Sequence, residues 1–172
     1  DSTPVVRLGR VFPDAQVVAK LEYMNPGGSI KDRMVRHMLR RMPAGTRRVV
    51  ESSSGNTGAA LAMASAVYGL DCDVTVPATT SCEKKKRIAA YGARVHPCSV
   101  DAGPDYHAAA EEIARGTGAF QLDQYRSALN REAHYRDTGP ELWRQLAGEI
   151  DVFVCGIGSG GTISGIGPVS YT

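Results

Sequence analysis

An open α/β fold built on parallel, doubly wound sheets is predicted for this 172-residue chain by two features. Short runs of branched and apolar residues alternate with helical stretches of ten or more residues, an order that requires crossover connections and a parallel sheet covered on both faces. Three turns rich in glycine or hydroxyl residues each follow a predicted strand, and such folds hold ligands in the crevice at the carboxyl ends of their strands. No internal repeat or low-complexity linker interrupts the series.

The elements follow in order. "PVVRL" (Pro4 to Leu8) and "QVVAKLEY" (Gln16 to Tyr23) read as strands, the second ending at the turn Asn25-Pro26-Gly27-Gly28. A helix is predicted over Ser29 to Met42, then a strand at "RRVVES" and a helix over Gly58 to Leu70 that is apolar on nearly every face and therefore buried. "CDVTV" is a strand, Ser81 caps a helix running to Tyr91, and "GARVHP" is the next strand. Asp105 to Arg115 is an alanine-rich helix and "AFQLD" a strand. Arg131 to Leu146 is helical, interrupted at Gly139-Pro140, where Thr138 and Glu141 have capping-box spacing. "DVFVCG" closes the series as a buried strand, and Pro168 falls inside the helix expected after it, where its ring opposes the carbonyl of Ser164.

Composition bounds the function. Hydrophobic residues make up 42% of the chain and charged residues 22%, as in ordinary globular proteins. A net charge of +2 gives no footing for nucleic acid or a membrane surface. The densest basic run, Glu83 to Arg87, lacks interleaved aromatic residues and reads as the wet side of a helix. The cysteines 72, 82, 98 and 155 form no C-x-x-C pair, so no zinc site is expected and the compartment reads as reducing, the cytoplasm. No apolar run approaches the roughly 20 residues of a membrane span, and no signal peptide opens the chain. Both ends read as cut, because the chain starts at Asp1 without methionine and stops soon after a glycine-rich loop.

Three stretches carry chemistry. In "NPGGSIKDR" (Asn25 to Arg33), a helical projection at about 100° per residue puts Lys31 among Ile30, Met34, Val35, Met38 and Leu39, with Asp32, Arg33, Arg36, His37 and Arg40 on the opposite, watery side. An ammonium in such surroundings is relieved by a depressed pKa, and a neutral lysine amine is the nucleophile that forms Schiff bases. A stem that snorkels to solvent fits the same pattern. In "SSSGNTG" (Ser52 to Gly58), hydroxyls, an amide and glycines crowd the entry of a buried helix, an arrangement suited to a carboxylate. An ordinary N-cap needs only one of those hydroxyls. In "GIGSGGT" (Gly156 to Thr162), successive amides turn inward around phosphate oxygens and Thr162 adds a hydroxyl. The literal G-x-G-x-x-G at Gly156, Gly158 and Gly161 also fits a dinucleotide fold, which needs an acidic residue about 20 positions further on, beyond Thr172.

These motifs, in this order, resemble the cysteine synthase and cystathionine β-synthase family of fold-type II enzymes dependent on pyridoxal 5'-phosphate (PLP), and the match reaches nearly to Gly167. The resemblance implies that Lys31 carries the cofactor and serves as the catalytic base. It implies that Gly158, Ser159, Gly160, Gly161 and Thr162 cradle the cofactor's phosphate. Ser53, Ser54, Asn56 and Thr57 then match the loop gripping the substrate carboxylate, with Asn56 also meeting the cofactor's phenolic oxygen and Ser53 replacing the usual threonine. Gln121 in "FQLDQ" is assigned to the same carboxylate. "DQYRSALN" departs from the family's asparagine- and proline-rich stretch, so substrate choice could differ.

Carried further, the resemblance implies two lobes, with the C-terminal part of the larger one missing. Residues 1–22 and 117–172 belong to the larger lobe and 23–116 to the smaller. The implied reaction is β-replacement on an activated serine such as O-acetylserine, giving cysteine or another β-substituted alanine. The implied partners are a small amino acid, a second copy in a homodimer and the tail of serine acetyltransferase. Rival readings are a non-catalytic remnant, which would keep the carboxylate loop without turnover, and a nucleotide- or phosphate-binding α/β module. The latter leaves Lys31 and Asn56 without a task.

Overall fold

The computed structural model describes residues 2–99 and 105–171. An antiparallel pair, β1 (Val5–Arg7) and β2 (Val18–Lys20), leads into a 3-10 turn at Glu22–Met24 and helix α1 (Lys31–Leu39). The centre is a parallel sheet of β3 (Arg48–Ser52), β4 (Asp71–Pro77), β5 (Arg94–Cys98) and β6 (Phe120–Gln121), in the order β5-β4-β3-β6. The crossovers are α2 (Asn56–Tyr68), α3 (Cys82–Ala89) and α4 (Tyr106–Thr117). Then come α5 (Ala128–Ala133), a π turn at His134–Thr138, α6 (Gly139–Gln145), α7 (Gly161–Ile166) and a closing 3-10 turn at Gly167–Tyr171.

The sheet is buried on both faces because its strands alternate between two cores. Val49 and Val50 are neighbours in β3 and point opposite ways, as a period of two requires. Val49 joins Met34, Leu61, Val74 and Ile88 beneath α1, α2 and α3, while Val50 joins Ala110 and Ala119 beneath α4. Burying each such Val or Leu fully contributes about 1.5–3 kcal/mol. Ser81 caps α3 by accepting the Lys84 amide, and Asp105 caps α4 through the amides of His107 and Ala108.

Three expectations change. "DVFVC" forms no strand: Val152 and Val154 are 77% and 84% exposed, since no strand among the described residues lies beside them to pair with. Thr138 is not an N-cap. Its backbone is helical, the Gly139 amide bonds the His134 carbonyl five residues back, and the π turn carries the chain past Pro140 into α6. Asp32, Arg33 and His37 do not face water but are buried, because α2 and α5 pack against α1. At the sheet's edge, β6 pairs with β3 in parallel, Val49 with Phe120 and Val50 with Gln121. The interruption at Pro168 does occur: α7 ends at Ile166 and the chain tightens into the 3-10 turn.

Candidate active site

The lysine turn is shaped by two glycines. Gly28 takes a left-handed φ of +82°, open to it for lack of a side chain. A Cβ on Gly27 would lie 2.5 Å from the carboxylate of Asp32, which accepts the Gly27 amide at the same distance. Ser29 accepts the Lys31 amide at 3.2 Å. The Lys31 side chain is half-buried, and loss of water lowers the pKa of its amine. Its charge also acts on His134, a fully buried imidazole that burial chiefly, and then Lys31 and Arg33, push down to about 4.

At the end of β3 the chain turns into α2 at Gly55, whose amide donates to the Ser53 hydroxyl at 3.3 Å. Ser53 is buried, Ser54 half-buried and Asn56 exposed. A Cβ at Gly58 would sit 2.5 Å from the Ser53 carbonyl, so only glycine lets α2 start this close to the strand. Thr57 is buried and donates its hydroxyl to Oε1 of Gln124 at 2.7 Å. Asn56 accepts from Arg87 at 3.3 Å, and the same guanidinium bonds the Gly27 carbonyl at 2.7 Å, joining this loop to the lysine turn.

The glycine loop lies at the start of α7. Gly160 is left-handed at φ +79°, and nothing stands within 4 Å of where side chains would be at Gly156, Gly158 or Gly160. Ser159 accepts from Nδ2 of Asn130 at 2.8 Å, and that same nitrogen bonds the Gln124 carbonyl at 2.8 Å. Gly161 packs directly on the Asn130 amide. Thr162 is half-buried and meets Nε2 of His134 at 3.4 Å.

These bonds form one path: Thr57 to Gln124, Gln124 to Asn130, Asn130 to Ser159. It links the hydroxyl loop to the glycine loop, while His134 meets Thr162 and feels the charge of Lys31. Neither Gln124, Asn130 nor His134 was singled out from the sequence. Gln121 is half-buried in β6, in register with Val50. The signal for Gln124 was present, because "FQLDQ" contains two glutamines and the turn between them decides which one reaches the loop.

The donor set matches a phosphorylated aldehyde: an amine whose pKa burial lowers, an open glycine loop ending in Thr162, and hydroxyls clustered at the start of α2. A family model described as "Pyridoxal-phosphate dependent enzyme" matches residues 1–169. The chain belongs to the family of pyridoxal-phosphate dependent enzymes. Cysteine synthase of Staphylococcus aureus (strain N315) is 41% identical, with 97% of this chain aligned to 57% of the relative. Cysteine synthase of Aquifex aeolicus is 39% identical over 96% of this chain and 55% of its own. Cystathionine beta-synthase of Apis mellifera is 38% identical over 96% and 36%. A crystal structure of O-ureido-L-serine synthase superposes with a TM-score of 0.89 at 34% identity, covering 97% of this chain and 55% of that one. The chain thus spans about half the length of the cysteine synthases it matches, and it has the parallel α/β architecture of this PLP-dependent family.

Proposed function

We propose that this PLP family member catalyses β-replacement on an activated serine such as O-acetylserine, producing cysteine or another β-substituted alanine. The observation that carries the reading is the path from Thr57 through Gln124 and Asn130 to Ser159, which holds a carboxylate-suited loop and a phosphate-suited loop in fixed relation. PLP, when bound, supplies an electron sink for a carbanion at the substrate's α-carbon. Lys31 is the residue assigned to hold PLP and then to take the α-proton, a role favoured by burial that lowers its pKa. Gly158 to Thr162 would hold the phosphate, with Ser159 oriented by Asn130 and Thr162 by His134. Ser53, Ser54 and Thr57 would bind the substrate carboxylate at the start of α2, and Asn56 would orient the cofactor ring.

The cysteine synthase relatives favour sulfur as the incoming nucleophile. The reading extends to a homodimer, to the tail of serine acetyltransferase as a partner at the same site and to the cytoplasm. Four free thiols, on Cys72, Cys82, Cys98 and Cys155, suit a reducing compartment. Among the described residues, no helix is long and apolar enough to cross a membrane. The division into lobes at 1–22 with 117–172 and at 23–116 remains part of the proposal.

The test is to incubate the protein with PLP, reduce it with borohydride and map the adduct by peptide mass. The expected result is a single adduct on Lys31, lost in Lys31→Ala, together with cysteine formation from O-acetylserine and sulfide. An adduct on another lysine, or none, overturns the cofactor assignment. An adduct without cysteine formation overturns the reaction alone.

A further inference from the structure

Glu51 is a buried carboxylate for which the proposed chemistry has no use. It lies in the central strand β3, 1% exposed, and its Oε2 has no hydrogen-bond partner. Strand register pairs Val50 with Gln121, which brings the turn after β6 beside Glu51, and the amides of Ser52, Asp123 and Gln124 favour its charged form. Burial chiefly, and then the charge of Asp123, oppose them. A position that costs desolvation without an ion pair needs a compensating task.

The turn after β6 supplies that task. The Leu122 amide bonds the Val50 carbonyl at 3.2 Å, which is the last backbone hydrogen bond tying this turn to β3. Asp123 then takes φ +47°, a left-handed conformation uncommon for residues with a side chain, though aspartate adopts it more readily than most. No backbone carbonyl among the described residues accepts the amides of Asp123 and Gln124. Immediately beyond, Gln124 is 6% exposed and takes the Thr57 hydroxyl.

We propose that Glu51 is a positioning residue: its carboxylate holds the Asp123 and Gln124 amides, fixes the left-handed turn and so presents Gln124 to Thr57 at the amino-acid carboxylate site. The amino-acid part rests on the function proposed above, whereas the hold on the turn does not. Glu51 touches neither substrate nor cofactor. It sets the wall of the carboxylate site from behind.

Two measurements test this. In the unliganded protein, hydrogen exchange is read at the amides of Asp123 and Gln124. Glu51→Met, which keeps the volume and removes the acceptor, should speed exchange there by about tenfold or more, as loss of a hydrogen bond to a charged group implies. The amides of α2 should not change. Glu51→Gln, which retains one acceptor oxygen, should restore protection. In the PLP-loaded protein, L-serine affinity is read from the visible spectrum. Glu51→Met and Gln124→Ala should each weaken it by about tenfold, and the double variant should be no weaker than either single one, because both remove the same contact. Every variant is titrated at saturating PLP. Unchanged exchange at Asp123 and Gln124, or additive losses in the double variant, overturns the proposal. Failure of every variant and the wild type to take PLP overturns the proposed function instead, and the exchange measurement still decides the role of Glu51. If Glu51→Met does not fold, Glu51→Asp, which withdraws the carboxylate by one methylene, replaces it in both measurements.

Discussion

Arg33 lays its guanidinium across the carboxylate of Glu141, with Nη1 2.7 Å from Oε2 and Nη2 2.8 Å from Oε1. The remaining edge of the fork bonds Glu22, and Lys20 adds a second cation to Glu141. Two buried or half-buried carboxylates thus meet two cations, and the first turn of α1, which carries Lys31, is bound to α6 and to the 3-10 turn after β2. Removing one member leaves the others charged and out of water. Glu141→Leu should therefore cost about 3–5 kcal/mol, read as a lowered urea midpoint at unchanged slope.

The same cluster makes the protein sensitive to acid. Arg33 and Lys20 overcome burial and hold the Glu141 carboxyl well below its ordinary 4.5, down to about 2. A carboxylate with a depressed folded pKa contributes stability that is present above 4.5 and lost as pH falls toward 2. Thermal melts of the wild type should decline through that window. Glu141→Gln should flatten the decline while lowering stability at neutral pH.

Glu51 and His134 act with opposite signs. Burial raises Glu51 from 4.5 to about 7, so between those values the folded state binds the extra proton and stability falls with rising pH. Burial lowers His134 from 6.5 to about 4, so there the unfolded state binds the extra proton and stability rises with pH. Each slope is about 1.4 kcal/mol per pH unit where the group is differently protonated in the two states. Measured between pH 4.5 and 6.5, Glu51→Gln should tilt the stability profile upward relative to wild type, and His134→Asn should tilt it downward. Parallel profiles for all three proteins would contradict both assignments.

The two glutamines of "FQLDQ" are separable by mutation. Gln124→Ala removes the partner of Thr57 and should weaken amino-acid binding by about tenfold, near the upper end for loss of a neutral hydrogen bond. Gln121→Ala, placed in β6, should leave binding within about threefold, since surface or strand-edge changes away from a site cost little. Equal losses in spectral titration would remove the distinction.

Gly165 marks where α7 meets the π turn. A Cβ there would stand 2.6 Å from the Arg131 carbonyl and 2.6 Å from Cβ of His134. Gly165→Ala should cost about 1–3 kcal/mol by overpacking and, by displacing α7, reduce phosphate-dependent PLP retention. Retention is measured by dialysis against buffer, followed by the visible spectrum.

Much of the fold was legible because strand and helix periods were unambiguous: β3, β4, β5, α2 and α4 fall where branched runs and alanine-rich stretches predict them. The depressed amine of Lys31 was also legible from its apolar helical neighbours. What failed depended on partners distant in sequence. The helical projection put Arg33 in water, since Glu141 lies 108 residues away and periodicity carries no record of it. Thr138 and Glu141 matched a capping box by spacing, but Glu141 is engaged by Arg33 and Thr138 by His134, so neither side chain caps a helix. Gln124 was missed because the left-handed turn at Asp123 carries no glycine that could be read in advance.

The bare stretch around Val152, Val154 and Ile157 has its own consequence. An extended apolar segment with unsatisfied peptide groups is adhesive, and it will recruit whatever β-structure it meets first. Whether that neighbour is a proper one or another copy of the same segment bears on solubility, so the colloidal behaviour of this chain is governed less by its well-filled interior than by the exposed Val152, Val154 and Ile157.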